Sequence, residues 1–304
     1  MNKILVTGGT GMVGKYLQNI LPDAVYIGSK DYDLRNAGDV EKCFTTYKPY
    51  RVIHLGAKVG GILENLEYPG DFYNDNTLIN TNVLIAAKKH GVKRFTAILS
   101  TCMYPDKIDK YPMDEKDVHK GPPSFANFSY GFTKRSLMVA IDAYNKQFKT
   151  KYNYIIPCNL YGEYDHFDDP NKCHFITALI RKIIDADNEG SNQINLFGTG
   201  KPLRQFMYAK DLARTIKLII DKDITDSFNV ATSEERSIED MAKIALEVLN
   251  KDFTINFDTN KPDGQYRKTV SNKKMLENVG EFTFTSLKDG IKNVYDKIKK
   301  EYGK

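Results

Sequence analysis

The chain has 304 residues, 41% of them hydrophobic and 27% charged, which suits one large domain or two intimately joined ones and argues against disorder. The formal net charge of +5 is small for this length, and the lysines are scattered apart from a modest cluster in KDGIKNVYDKIKKEYGK, which reads as a solvated helix face and not as a nucleic-acid patch. No apolar run reaches the roughly 20 residues of a membrane span, MNKILVTGG has too short an apolar core for export, and Cys43, Cys102, Cys158 and Cys173 include no C-x-x-C pair, so a soluble cytoplasmic protein with free thiols is expected.

KILV reads as a short buried strand, and Met12, Val13, Tyr16, Leu17 and Ile20 fall on one face of a following helix. The turn between them, in VTGGTGMVGK, can be counted two ways. Gly9, Gly11 and Gly14 make G-x-G-x-x-G, while Thr7, Gly8, Gly11 and Gly14 make T-G-x-x-G-x-x-G. Either count sets a tight turn before a helix whose first N–H groups, at Met12 and Val13, and positive dipole end suit a phosphate. AVYIG (24–28) then reads as a second strand, DVEKCFTTYKP as a helix, RVIHLGA (51–57) as a third strand, NDNTLINTNVLIAAKKHG as a helix and RFTAILS (94–100) as a fourth strand. This alternation predicts an α/β protein with a doubly wound parallel sheet, in which ligands bind beyond the carboxyl ends of the strands. Ala57 and Ser100 are two such strand-end residues.

From about residue 159 the pattern loosens into the polar, aromatic NLYGEYDHFDDPNKCH, before HFITALIRKIIDA restores helical spacing. LARTIKLIIDK with SFNVA reads as a return to the main sheet, and SIEDMAKIALEVLN as a helix capped by Ser237. The expected division is a Rossmann-type cofactor domain from residues 1–158 plus about 209–235, and a smaller substrate domain from about 159–208 plus 236–304.

The second strand ends in Gly28, Ser29 and Lys30, a small polar and a basic residue where an acidic one would hold the ribose of NAD. The expected cofactor is therefore NADP(H), contacted by Ser29 and Lys30; the alternative has Lys30 solvated and Asp31 folded back. Further on, NFSYGFTKRSLMVA places Tyr130 one helical turn before Lys134. A nearby ammonium favours an ionised phenol, so proton exchange by Tyr130 near neutral pH is expected. No metal is called for.

Thr7-Gly8-x-x-Gly11-x-x-Gly14 taken with Ser100, Tyr130 and Lys134 resembles the fingerprint of the extended short-chain dehydrogenase/reductase family, which favours the second glycine count. The resemblance implies that Ser100 and Tyr130 hydrogen-bond a substrate carbonyl, that Tyr130 delivers the proton, and that Lys134 holds the nicotinamide ribose. Over essentially the whole chain, STCMYP, HLGAKVGGI, NLYG, CHFITALIRK, FGTGKPLRQF and PDGQYRK are similar to the GDP-L-fucose synthase branch of that family. That branch implies reduction of the C4 ketone of a GDP-4-keto-6-deoxy sugar after epimerisation at C3 and C5, with Cys102 and His174 as the epimerising pair. Without the resemblance, a lone Cys102 is more often a small buried apolar residue and His174 an ordinary helix-start histidine.

By the same match Lys182 and Arg204 are expected on the phosphates and Asn159 in the sugar pocket, while Arg181, Arg267 and Lys268 are further candidates at the nucleotide end, the last two equally readable as surface charges. Phe125 and Phe128 ahead of Tyr130, Gly131 in place of the family's usual alanine, and Glu163, Tyr164 and His166 depart from the pattern. They leave open a C4 reductase for a GDP-4-keto-6-deoxy-heptose; a non-catalytic NADP-binding sensor of the same fold is a separate alternative, against which the intact Ser100, Tyr130 and Lys134 argue. The resemblance also implies a homodimer, for which the apolar residues on more than one side of SYGFTKRSLMVAIDAYNKQF are suited.

Overall fold

The computed structural model describes residues 3–168 and 173–302. Part of the loop expected at 159–174 therefore lies outside the described residues.

The amino-terminal half alternates as expected: β1 (Ile4–Thr7), α1 (Met12–Ile20), β2 (Val25–Ile27), α2 (Ala37–Tyr47), β3 (Arg51–His54), α3 (Ile62–Glu67), α4 (Pro69–Lys89), β4 (Arg94–Ile98), α5 (Phe128–Phe148) and β5 (Tyr152–Pro157). Several boundaries differ from the sequence reading. α2 starts earlier because the Asn36 side chain accepts from the N–H groups of Gly38 and Asp39. α4 starts at Pro69, whose fixed φ and missing N–H suit a first helical turn, and the short α3 ahead of it was not expected. β4 stops at Ile98, so Ser100 stands two residues beyond it, at the head of a single 3₁₀ turn, Thr101–Met103.

The second half contains β6 (Asn159–Tyr161), α6 (Phe175–Asn188), β7 (Gln193–Phe197), β8 (Leu203–Arg204), β9 (Phe206–Tyr208), α7 (Ala209–Asp221), β10 (Phe228–Val230), β11 (Arg236–Ser237), α8 (Ile238–Val248), β12 (Thr254–Asp258), α9 (Lys273–Val279) and α10 (Leu287–Tyr302). The Ser237 hydroxyl caps α8 by accepting from the Asp240 N–H. NLYG, read as loop, begins with β6, which pairs in parallel with β9.

Six strands form one parallel sheet in the order β10-β5-β4-β3-β1-β2. The chain begins one strand in from the edge at β1, runs outward to β2, then crosses to the other side of β1 to lay down β3, β4 and β5. SFNVA does return to this sheet: β10 extends it beside β5. β3 and β5 are buried throughout, as strands covered on both faces must be. The reversal in strand order lies between β1 and β3, and a doubly wound sheet opens a ligand crevice at such a point. The other strands form two-stranded pairs, β6–β9, β7–β12 and β8–β11, outside the main sheet.

Candidate active site

The crevice is built from glycine. Gly8 follows β1 with φ +68°, and a side-chain carbon there would lie 2.7 Å from the Gly56 nitrogen beyond β3. Gly14 lets α1 close on the turn, because a Cβ at that position would sit 2.3 Å from the Gly9 carbonyl oxygen. Gly11 caps α1 without a side-chain bond, which leaves the N–H groups of Met12, Val13 and Gly14 without intrahelical acceptors at the positive end of the helix dipole. Ser29 and Lys30 are exposed just beyond β2, and Lys30 makes no ion pair among the described residues. Asp31 folds back, accepting from the Gly28 N–H at 2.8 Å, and Asp33 pairs with Arg35. Both features of the alternative reading of this strand end are therefore present, and Lys30 faces solvent just beyond β2. Ala57 is half-buried next to Lys58, which pairs with Asp75 at 3.1 Å.

Ser100, Tyr130 and Lys134 meet at the end of β4. Ser100 Oγ accepts from the Cys102 N–H at 3.2 Å, which fixes the 3₁₀ turn. Lys134, buried on α5, donates from Nζ to the Ile98 carbonyl at 2.9 Å, with Nζ 5.7 Å from the centre of the Tyr130 ring. Burial pushes Lys134 down to about 8, against the opposing pull of Cys102. The structure corrects the expected tuning of Tyr130. Its phenol is held above the ordinary value, first by burial and then by the Cys102 charge, with the Ser100 hydroxyl opposing. The Lys134 ammonium is directed at a backbone carbonyl, so Tyr130 is a neutral O–H donor at neutral pH.

Cys102 sits in a nest of donors. Its Sγ accepts from Asn127 Nδ2 at 2.9 Å and from Lys268 Nζ at 3.3 Å. Burial raises the thiol, but the Lys268 ammonium, the Ser100 hydroxyl and the Arg204 guanidinium outweigh it and hold the thiol below its ordinary value. His174, at the start of α6, moves the other way. Partial desolvation lowers it, yet Asp165, hydrogen-bonded to its ring, and the Cys102 charge hold it above ordinary imidazole. A thiol biased toward its anion is thus electrostatically coupled to an imidazole biased toward its cation.

The candidates for the nucleotide end divide. Arg204 is buried and responds to the charges of Cys102 and Asp263, and Lys268 lies against Cys102. Arg267, its sequence neighbour, is committed to a two-bond ion pair with Glu235. Arg181 is held by Asp185, the Phe167 carbonyl and Tyr302, so its charge serves packing. Lys182 donates to the Asn195 carbonyl at 2.6 Å and lies over Phe197, about 12 Å along α6 from His174 by helix rise. The structure therefore groups Arg204 and Lys268 with Cys102 and leaves Lys182 on the β7 side. Asn159 Nδ2 donates to the Gln205 carbonyl at 3.0 Å.

Asn127 and Asp165 escaped the sequence reading, and Lys268 entered it only with Arg267, as a nucleotide-end candidate equally readable as a surface charge. Asn127 lies three residues before Tyr130 in a 3₁₀ turn, Phe125–Asn127, and its Oδ1 is buried without a protein partner among the described residues. Asp165 precedes His174 by nine residues in a polar loop, a spacing that carries no signal by itself.

The model of the NAD dependent epimerase/dehydratase family matches residues 4–231. The chain belongs to that family. Within it, the chain is 38% identical to a GDP-L-fucose synthase of Dictyostelium discoideum over 95% of this chain and 92% of that one. It superimposes on a GDP-L-fucose synthetase from Naegleria fowleri bound to NADP with a TM-score of 0.88 and 34% identity, covering 99% of this chain and 95% of that one. A GDP-6-OMe-4-keto-L-xylo-heptose reductase from C. jejuni matches with a TM-score of 0.90 and 25% identity, over 99% and 98% of the two chains.

Proposed function

We propose that the protein is an NADP-dependent oxidoreductase that reduces the C4 ketone of a GDP-4-keto-6-deoxy sugar after inverting C3 and C5. The observation that carries this reading is the coupled Cys102–His174 pair beside Ser100 and Tyr130, since a pure ketoreductase needs the second couple only. The glycine cradle at Gly8 and Gly14, the first N–H groups of α1 without intrahelical acceptors, and Lys30, without an ion pair among the described residues, fit a phosphorylated dinucleotide. Gly8, Gly11, Met12, Val13 and Gly14 would hold its pyrophosphate, Ser29 and Lys30 its ribose phosphate, and Ala57 and Lys134 the nicotinamide side. When bound, NADPH supplies the hydride.

The chain's own groups supply the protons and the electrostatics. Ser100 and Tyr130 donate to the C4 oxygen, polarise the ketone and acidify the hydrogens at C3 and C5. The Cys102 thiolate removes such a hydrogen and the enolate oxygen is held by the same two hydroxyls, while His174 returns a proton to the opposite face. Tyr130, kept protonated by burial, then gives its proton to the C4 oxygen as the alcohol forms. Arg204 and Lys268 carry the charge suited to a diphosphate, and the orphan Asn127 Oδ1 offers an acceptor for a sugar hydroxyl. In this reading the main sheet, residues 1–158 plus about 209–235, forms the cofactor lobe, and about 159–208 plus 236–304 forms the sugar-nucleotide lobe.

Turnover in heavy water with NADPH and GDP-4-keto-6-deoxymannose tests the reading. Cofactor oxidation with deuterium at C3 and C5 is expected. Oxidation without deuterium would leave a C4 reductase acting on a related sugar such as a GDP-4-keto-6-deoxy-heptose, a reading favoured by the likeness to the heptose reductase. NADPH binding without oxidation by any such substrate would leave the sensor reading. We further infer a homodimer through α4 and α5, supported by exposed Leu78, Ile85 and Val139 and by a groove in which Phe132, Val139, Ala140 and Ala143 lie beside the polar His119, Arg135 and Ser136.

A further inference from the structure

We propose that Asp165 is a positioning residue for His174, clamping the imidazole by its Nδ1 edge so that Nε2 carries the proton delivered to the sugar. The proposal rests on the epimerising role of His174 put forward above.

Asp165 stands in the loop after β6, and its side chain is only 3% exposed, whereas that of His174 is 42% exposed. Both carboxylate oxygens lie 3.1 Å from His174 Nδ1, and Oδ2 also accepts from the His174 backbone N–H at 2.9 Å. Among the described residues Oδ1 also accepts from the His166 N–H at 3.0 Å, which ties the carboxylate to its own loop. One carboxylate thus grips both the main chain and the ring of the same histidine. A ring held this way has a single tautomer available when neutral, with the proton on Nδ1, and a single face of exchange, Nε2. A buried carboxylate is costly without compensation, and among the described residues the ion-pair partner of Asp165 is His174.

The electrostatic surroundings make the clamp necessary. His174 heads α6, where the positive end of the helix dipole opposes a charged imidazole, and the partial loss of solvent around the ring opposes it as well. Asp165 and the Cys102 thiolate act in the other direction, and Lys268 and Arg204, which stand around Cys102, offset part of the thiolate's effect. Without Asp165 the balance at His174 tips toward neutral imidazole, which has no proton on Nε2 when Nδ1–H is retained. In one inversion, the thiolate takes the hydrogen from carbon and the C–H electron pair becomes the enolate. His174 Nε2–H then protonates the opposite face, the N–H electron pair returning to the ring. The thiol and the neutral imidazole reset by exchange with solvent, and Asp165 remains ionised throughout.

The test is Asp165→Asn, with His174 followed by ring ¹⁵N and ¹³C NMR titration and deuterium wash-in followed in heavy water. The expected result is a lower His174 midpoint, with a mixture of neutral tautomers. Wash-in should fall roughly 10- to 1,000-fold, with its profile moved to lower pH. If wild type incorporates deuterium while the variant's midpoint, tautomer and wash-in are unmoved, the role of Asp165 is overturned. If wild type incorporates none, the epimerising reading fails and takes this role with it. Should the variant not fold, the wild-type titration decides alone: a midpoint above the reference of about 6.5 with Nε2 as the exchanging atom supports the clamp, and a midpoint at or below it overturns the clamp.

Discussion

At the scale of single residues, the site works through groups that change one another's protonation. Cys102 is the clearest case, since burial alone would raise its thiol and only Lys268, Ser100 and Arg204 reverse that. Replacing Lys268 by Met should therefore move the pH midpoint of Cys102 alkylation upward; an unmoved midpoint would deny the lysine this role. Gly131 supports the same turn by omission. A Cβ there would lie 2.4 Å from the Cys102 carbonyl oxygen, a contact that backbone cannot make. Gly131→Ala must push α5 from the turn, with an expected loss of about 1–3 kcal/mol in urea unfolding and a lower kcat. Unchanged stability would mean that the turn yields freely. Ser100, Tyr130 and Lys134 were legible in the sequence because their spacing follows a strand end and one helical turn. Lys268 and Asp165 were not, because each acts across 166 or 9 residues of chain through a contact that no local period encodes.

At the scale of elements, two carboxylates help hold the loop after β6. Asp165 fastens it to the start of α6, and Glu163 fastens it to α1 and β9 by accepting from the hydroxyls of Tyr16 and Tyr208. Tyr16 is kept a donor well above the ordinary phenol range, first by burial and then by Glu163. The clasp joins the helix of the glycine turn to the loop that carries Asp165, so the cofactor side and the His174 side share one tie. Glu163→Ala strands two buried phenols, and a loss of about 1–3 kcal/mol in equilibrium unfolding is expected. A double-mutant cycle with Tyr16→Phe that showed no coupling would remove the clasp from the account. The sequence marked Glu163 only as a departure from a pattern, since its partners lie 147 and 45 residues away.

At the scale of the whole molecule, a buried polar chain ties the sheet's switch point to the helices behind it. Asn80 Nδ2 points to the Thr133 carbonyl, so its Oδ1 accepts from His54 Nε2–H, and His54 Nδ1 accepts from the Thr7 hydroxyl at 2.7 Å. Burial, with the Lys134 charge, pushes His54 down to about 3. The unfolded chain takes up a proton near pH 6.5 that the folded state refuses until about 3, so stability from this group is complete above 6.5 and is lost as pH falls through that window. Urea unfolding between pH 7 and 4 should show a steeper acid slope in wild type than in His54→Gln; equal slopes would contradict the burial of a neutral ring. The α4–α5 face makes the other prediction at this scale. Val139→Asp should convert a sedimenting dimer to monomer without touching the cofactor cradle, and a wild type that is monomeric at micromolar concentration would end the homodimer proposal.

The sequence by itself determined the parallel sheet, the glycine turn at its head and the spacing of Tyr130 and Lys134, because hydrophobic period, glycine placement and helical pitch are local properties of a chain. Only the tertiary structure decided that Lys268 and not Arg267 faces the thiol, that Lys134 leaves Tyr130 protonated, and that Asp165 grips His174. Those outcomes depend on burial and on which charges meet across a crevice. Both are set by the crossing of distant segments, and neither is written in the neighbours of any one residue.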